Sequence, residues 1–358
     1  MIVHLFPKSQ FTEEFIDYIN THFDRNEHIF VLYTNVPFQV NSRVYDYCNV
    51  FDYDYMTVFL LNNLLTKADR IILHNFGIKM RELFLLFMRK SICNKIIWLI
   101  WGSDIYCHRV KNKGVRQNLV ETMRGCIMRR FPVVASLTDG DYELAKSWYG
   151  CRGTNIRLDY CEEHTTELMK NYSSQFFADD GYIHILVGNS ATETNQHEEI
   201  FRMLAKYDTS RMRIYSPLSY GNKEYGNKII RLGYKLFGDR FNPITEYMTR
   251  EEYYKFLSQI DIGIFNNNRQ QGMGNIVALL YYGKKVYMRS DTTMWSEWRD
   301  KKKYSINDVD KIGNESYEDF ISYDTINADN NKRLIEVYLD PEERKKEWEW
   351  AFSMPLDR

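Results

Sequence analysis

No stretch of the 358-residue chain stays apolar long enough to cross a bilayer. The densest runs, Leu83 to Met88 and Ile96 to Trp101, fall well short of the ~18–20 residues that a spanning helix needs. The opening residues, Met1-Ile2-Val3-His4-Leu5-Phe6-Pro7, lack a basic stretch followed by an apolar core and a small-residue cleavage site, so nothing marks the chain for export and a cytoplasmic location is expected. Cysteine pairing is missing too. Cys48, Cys93, Cys107, Cys126, Cys151 and Cys161 form no C-x-x-C motif, and no histidine doublet stands at ligand spacing. That excludes a zinc site or a disulfide framework and predicts free thiols. There is no low-complexity tract and no repeat with a period of about 20–50 residues. Nor is there an excess of either charge: 47 Lys and Arg face 48 Asp and Glu, which argues against a general nucleic-acid binder.

The charge that is present is unevenly placed. From Arg70 to Arg130 there are thirteen Lys or Arg residues against three acids, Glu82, Asp104 and Glu121. A basic stretch rich in aromatic rings, inside a neutral chain, suits anionic lipid headgroups or a pyrophosphate; ordinary solvated helix faces are the simpler account.

The length exceeds one hydrophobic core and suits two. Ile2 to Phe6 and Ile29 to Tyr33 read as strands around a helix whose stripe is Phe11, Phe15, Tyr18 and Ile19. Arg70 to His74, Lys95 to Ile100 and Val133 to Leu137 are short apolar runs of the kind buried on both faces in parallel sheets. After a polar stretch the alternation restarts at Tyr182 to Val187 and continues through Arg213 to Tyr215, Asp261 to Phe265 and Val286 to Met288. Helices are expected around Ile200 and Phe201, behind a capping box at Thr249 to Glu252, and from Asn275 to Tyr282. This predicts an α/β protein with two doubly wound, Rossmann-like parallel-sheet domains facing across a cleft. The expected boundaries are 1–165 for an acceptor- and membrane-facing domain, 166–180 for a linker, and 181–335 for a nucleotide-binding domain. Residues 336–358 should form a last helix returning to the first domain.

The chemistry is expected in loops that follow strands. Arg269, Gln270, Gln271, Gly272, Gly274 and Asn275 lie between a strand end and a helix start. Glycines there permit close backbone approach, helix-start N–H groups attract anions, and Arg269 adds a full positive charge, which together suit a diphosphate. No G-K-[ST] follows, so this is not a Walker loop. Gly188, Asn189 and Ser190 open a second such loop, with small polar groups able to donate to phosphate or sugar oxygens, although loops and caps use the same residues. Tyr215, Pro217 and Tyr220, with Glu246 and Tyr247, are candidates for the base and ribose, packing being the alternative for the rings. In the first half, Trp101, Gly102, Ser103 and Tyr106 could hold an acceptor sugar. Asp104 is the candidate base for its hydroxyl and His74 a second catalytic candidate; helix capping and a structural imidazole are the competing roles.

Three segments, Ile100 to Tyr106, Ile185 to Ser190 with Asn195 and His197 behind, and Arg269 to Gly274, resemble the TDP-N-acetylfucosamine:lipid II N-acetylfucosaminyltransferase family, glycosyltransferase family 56. The likeness runs in register from about residue 70 to 300. It implies a GT-B fold and a hexosyltransferase that moves an N-acetylfucosamine-like sugar, a 4-amino-4,6-dideoxyhexose, from a nucleoside diphosphate donor such as dTDP. The implied acceptor is an undecaprenyl-diphosphate-linked oligosaccharide of surface polysaccharide synthesis, met at the inner face of a bacterial membrane to which the enzyme is peripherally attached. The resemblance also implies no metal and no cofactor. Asp52-Tyr53-Asp54 has the spacing of a metal-binding D-x-D by accident. The chain departs from the family at Thr138 to Asp141 and from Asn222 to Phe237, which bears on the donor sugar more than on the reaction type. A sugar-nucleotide epimerase of the same fold, a transferase of this family with another donor, and a non-catalytic nucleotide-sugar sensor are the competing readings.

Overall fold

The computed structural model describes residues 1–9, 11–34, 40–109, 114–160, 163–172, 180–322 and 324–356. Cys161, and residues 173–179 of the expected linker, lie outside the described residues. The chain divides into two compact units, Met1–Glu162 with Pro341–Arg358, and Glu163–Asp340.

The first unit holds β1 (Ile2–Pro7), β2 (His28–Tyr33), β3 (Val50–Asp52), β4 (Arg70–His74), β5 (Ile96–Leu99), β6 (Val133–Ser136) and β7 (Thr154–Arg157). They pair in the order β3-β2-β1-β4-β5-β6-β7, every pair parallel. Successive side chains of a strand point to opposite faces. Val3 and Leu5 of β1 accordingly enter one apolar layer while Ile2 and Phe6 enter the other. Both faces are covered, which is why these strands read as unbroken apolar runs. Helix Pro341–Ser353 closes the second layer: Trp348 is fully buried and its Nε1–H donates to the Asp159 carbonyl at 2.8 Å. Arg70 donates to the Met354 carbonyl at 2.5 Å.

The second unit holds β8 (Ile183–Val187), β9 (Met212–Pro217), β10 (Phe241–Ile244), β11 (Ile262–Phe265), β12 (Lys285–Met288) and β13 (Asn307–Asp308). Their order is β10-β9-β8-β11-β12-β13, again wholly parallel. Helix Arg250–Ser258 begins with the full capping box: Thr249 accepts from the Glu252 N–H, and the Glu252 side chain accepts from the Thr249 N–H. Residues 163–172, from a stretch in which the sequence shows no clear period, are helical; Leu168 and Met169 anchor this helix in the second core. In each sheet the order reverses once, between β1 and β4 and between β8 and β11. At such points the loops leaving the carboxyl ends of adjacent strands run apart and leave a crevice for a ligand.

Candidate active site: the loops at the two switch points

In the second unit the side chain of Gln271 gathers the loops after β8 and β11, which a bond from Gln196 Nε2 to the Asn266 carbonyl and one from the Asn268 N–H to the Thr194 carbonyl also join. Gln271 Nε2 donates toward Asn189 Oδ1 at 2.8 Å, Thr192 Oγ1 at 3.0 Å and Ser190 Oγ at 3.1 Å, while its Oε1 accepts from Thr194 Oγ1 at 2.6 Å. Asn195 Oδ1 accepts from the Asn189 N–H at 3.1 Å, and its Nδ2 donates to Thr192 Oγ1 at 2.8 Å. The two segments singled out in the sequence therefore form one network, although about eighty residues of chain separate them. Gly188 is required here. Its φ is +72°, and an added Cβ would lie 2.5 Å from His197 Nε2 and 2.9 Å from Asn195 Oδ1. Asn189 Nδ2 carries the network on to the Tyr220 hydroxyl at 3.1 Å, and the Tyr220 ring is 54% exposed at the end of the β9 loop.

Gly272, at φ +71°, caps helix Met273–Tyr281. The first N–H groups of a helix have no intrahelical acceptor, so this end offers a partial positive charge. Arg269 stands half-buried three residues before it, Gly274 is exposed, and Asn275 donates to the Tyr253 hydroxyl at 2.8 Å. Ser190 and Gln270 are buried and build the loop from within. Beside them lies Arg289, which the sequence did not flag because it follows a strand without any glycine. Its guanidinium grips Asp291 at 2.7 and 2.8 Å and reaches Asn266 Oδ1 at 3.4 Å.

The base and ribose candidates separate. Tyr215 is not at the strand end: its ring stacks on His184 and meets Phe256 edge-on, and its hydroxyl pairs with His184 Nδ1 at 3.1 Å. These contacts are those of a packing ring, the alternative that the sequence left open for this residue. Pro217 is buried as the last residue of β9, whereas Glu246 and Tyr247 are exposed after β10.

In the first unit both catalytic candidates turn out to be built into the fold. His74 is fully buried; its Nδ1 pairs with the Tyr160 hydroxyl at 2.7 Å and its Nε2 with His4 Nδ1 at 3.1 Å. His4 Nε2 continues to His28 Nδ1 at 3.0 Å, so no ring nitrogen of His74 is left for an acceptor hydroxyl. Asp104 is 3% exposed. Its Oδ2 accepts from Trp98 Nε1 at 2.8 Å and from the Phe76 N–H at 3.1 Å, and its Oδ1 from the Trp101 N–H at 3.1 Å. Burial pushes its carboxyl above the usual carboxylate range against the pull of these N–H groups and of Arg124. Asp104 thus fastens the loops after β4 and β5 to each other. Tyr106 is likewise buried, donating to Asp141 at 3.0 Å. Trp101, half-buried, donates its Nε1–H to Tyr160 at 2.9 Å, and Ser103 is exposed beside it. Gly102 at φ +86° makes the turn between them.

Other groups at this edge escaped the sequence reading. Asp52, set aside as accidental spacing, pairs with Lys8 Nζ at 2.6 Å and accepts from the Tyr45 hydroxyl at 3.1 Å. Glu82, 6% exposed at the start of helix Met80–Met88, is pushed up to about 7 by burial. No spacing in the sequence signals either: Asp52 takes its partners from other segments, and the Glu82 shift follows from burial, although its ion pair is with the adjacent Arg81.

The buried imidazoles carry a pH dependence. Burial lowers His28 and His197 from the ordinary 6.5 to about 4 each, the terminal amine adding to the effect at His28. An unfolded chain would take up these protons first, so stability is full above pH 6.5 and is lost as pH falls toward 4. At pH 5 the two together should cost about 4 kcal/mol, with His4 and His74 shifted in the same direction. Thermal unfolding followed from pH 7.5 to 5 should show a steep fall in Tm; a flat profile would contradict neutral burial of these rings.

Among the described residues no group of three or more His, Cys, Asp or Glu side chains is gathered for a metal, and no helix is long and apolar enough to cross a membrane. The sequence profile of the family described as 4-alpha-L-fucosyltransferase, glycosyl transferase group 56, matches residues 58–320. Among solved structures, sucrose-phosphate synthase from Thermosynechococcus elongatus superposes with a TM-score of 0.67, at 9% identity and 98% coverage of each chain. A UDP-forming alpha,alpha-trehalose-phosphate synthase from Burkholderia vietnamiensis gives 0.65, at 8% identity and 99% coverage of each chain. A glycosyltransferase from Rickettsia africae gives 0.61, at 10% identity and 99% coverage of each. At such identities the likeness is one of fold, and with the two doubly wound sheets that fold is GT-B.

Proposed function

Because the chain belongs to the 4-alpha-L-fucosyltransferase family, glycosyl transferase group 56, we propose that this glycosyltransferase takes an N-acetylfucosamine-like 4-amino-4,6-dideoxyhexose from a dTDP donor. The acceptor in this reading is an undecaprenyl-diphosphate-linked oligosaccharide of surface polysaccharide synthesis, reached at the cytoplasmic face of the inner membrane. The observation that carries the donor half is the pair of loops joined through Gln271 at the β8/β11 switch point, beside the start of helix Met273–Tyr281. Backbone N–H groups there, with Arg269, would neutralise the charge that develops on the leaving diphosphate, a role a metal ion fills elsewhere.

The acceptor half is supported by the surface of the first unit. Phe59 and Leu60 of helix Val58–Lys67, Phe84 and Met88 of helix Met80–Met88, and Val115 and Leu119 of helix Val115–Met128 are all more than half exposed. Lys67, Lys79, Arg89 and Lys90 lie on or beside the first two of these helices. Apolar side chains flanked by cations suit the headgroup region of an anionic bilayer. The direct test is transfer from dTDP-4-acetamido-4,6-dideoxyhexose to a polyprenyl-diphosphate glycan in vesicles, read by mass spectrometry. A product one sugar heavier should form faster on anionic than on neutral vesicles and in the presence of a metal chelator. Transfer to no lipid-linked glycan, or only with added divalent metal, would overturn the corresponding part of the reading.

A further inference from the structure

Asn75 directly follows β4 at the switch point of the first sheet, and three of its properties do not follow from packing. Its φ is +66°, in the left-handed region that a residue with a side chain enters at a cost. The conformation is held from several sides. The Asn75 N–H donates to the Leu99 carbonyl at 3.0 Å, and the Tyr33 hydroxyl bridges the His74 and Asn75 carbonyls at 2.8 and 3.0 Å. The next N–H, of Phe76, is fixed on Asp104. Second, the side chain is tied on one side only: Nδ2 donates to Ser103 Oγ at 3.3 Å. Third, Oδ1 is buried with no hydrogen-bond partner, in a residue 8% exposed. Turning the amide over would exchange its two ends and leave the N–H₂ unpartnered instead, so one polar atom stays unsatisfied in either orientation. A buried polar group without a partner is costly, and in a native protein it calls for a group that completes it or for a functional role.

We propose that Asn75, with Ser103 and the indole of Trp101, forms the subsite that grips a hydroxyl of the acceptor sugar. The idea rests on the acceptor reading given above and names the residues that would read that sugar. The geometry brings the three together through one fastening. Asp104 accepts from the backbone N–H groups of both Phe76 and Trp101, so the loop carrying Asn75 and the loop carrying Trp101 and Ser103 share a carboxylate. The indole, its Nε1–H spent on Tyr160 and its ring set near right angles to Phe6, Phe11 and Tyr160, would meet the apolar side of a pyranose with the part left exposed. A sugar hydroxyl donating to the unpartnered amide oxygen and accepting from Ser103 would complete the pair. Asn75 is thereby a specificity residue for the acceptor, and Asp104 a positioning residue that holds it.

Asn75→Gly tests this without straining the turn, since glycine takes a left-handed φ freely while the amide is lost. The glycan that wild type uses best, chosen from a panel of polyprenyl-diphosphate-linked and free oligosaccharides, serves as acceptor. Asn75→Gly should lower kcat/KM for that glycan on the order of tenfold to a hundredfold, leaving Tm and the thermal shift given by dTDP unchanged. Ser103→Ala, at an exposed position, should lower it in the same direction by less. Activity of Asn75→Gly within about threefold of wild type would show that the asparagine serves only the turn or an internal water, and would overturn the proposal. The lipid-linked acceptor fails separately, if wild type uses only free glycans; the ratio between variant and wild type still decides the role of Asn75.

Discussion

Arg269→Ala should lower kcat by about a hundredfold or more, equivalent to roughly 2.7 kcal/mol of lost transition-state stabilisation. Negative charge grows on the diphosphate as the glycosidic bond breaks, so an interaction with that charge strengthens between ground and transition state. The helix start at Gly272 contributes only partial charges, whereas the guanidinium contributes a full one from a half-buried position where water screens it incompletely. The effect should therefore fall on kcat more than on KM for the donor. Arg269→Lys should recover part of it, since charge is kept but the planar fork is lost. Stability should change little, because Arg269 is a half-buried loop residue outside both apolar clusters of its unit. Steady-state kinetics at saturating acceptor, with Tm as the control, would measure all of this. Turnover within about threefold of wild type would show that the leaving diphosphate lies elsewhere.

The core strands were legible in the sequence because burial on both faces writes an unbroken apolar run, as in Arg70 to His74 and Ile262 to Phe265. The edge strands were not. Thr154–Arg157, Phe241–Ile244 and Asn307–Asp308 are short and polar or interrupted by proline, as strands with one free edge can be. Helix Lys223–Phe237 went unread although its apolar stripe is strong; it lies in the segment where the family likeness breaks down. Loop position was legible as well, since glycine and small polar residues after a strand announce a turn. The wiring of the loops was not legible. Which side chain Gln271 holds, whether His74 faces substrate or another imidazole, and whether Asp104 is free or saturated all depend on residues 3 to 86 positions away. Local pattern carries residue type and spacing. It does not carry the partner that decides whether a carboxylate is a base or a fastening.

That distinction can be measured at Asp104. A catalytic base replaced by its amide loses activity and keeps its fold; a fastening loses stability first. Asp104 receives three N–H groups, from Phe76, Trp98 and Trp101, and Arg124 closes the same corner by donating to the Phe76 and Asp104 carbonyls. Asp104→Ala would leave three donors without their acceptor, two of them buried and worth about 1–3 kcal/mol each and the Trp101 N–H partly so. Its expected cost, on the order of 3–5 kcal/mol, is a large fraction of what a domain of this kind has to lose. Asp104→Asn should be milder: one carboxamide end still accepts while the other presents N–H to N–H. Its Tm should fall by several degrees, yet it should turn over at a rate within a few-fold of wild type when assayed well below that Tm. Urea unfolding and initial rates at 20 °C, on the same preparations, separate the two roles. A variant as stable as wild type but inactive would restore Asp104 as the base and would remove the shared carboxylate on which the placement of Asn75 and Trp101 depends.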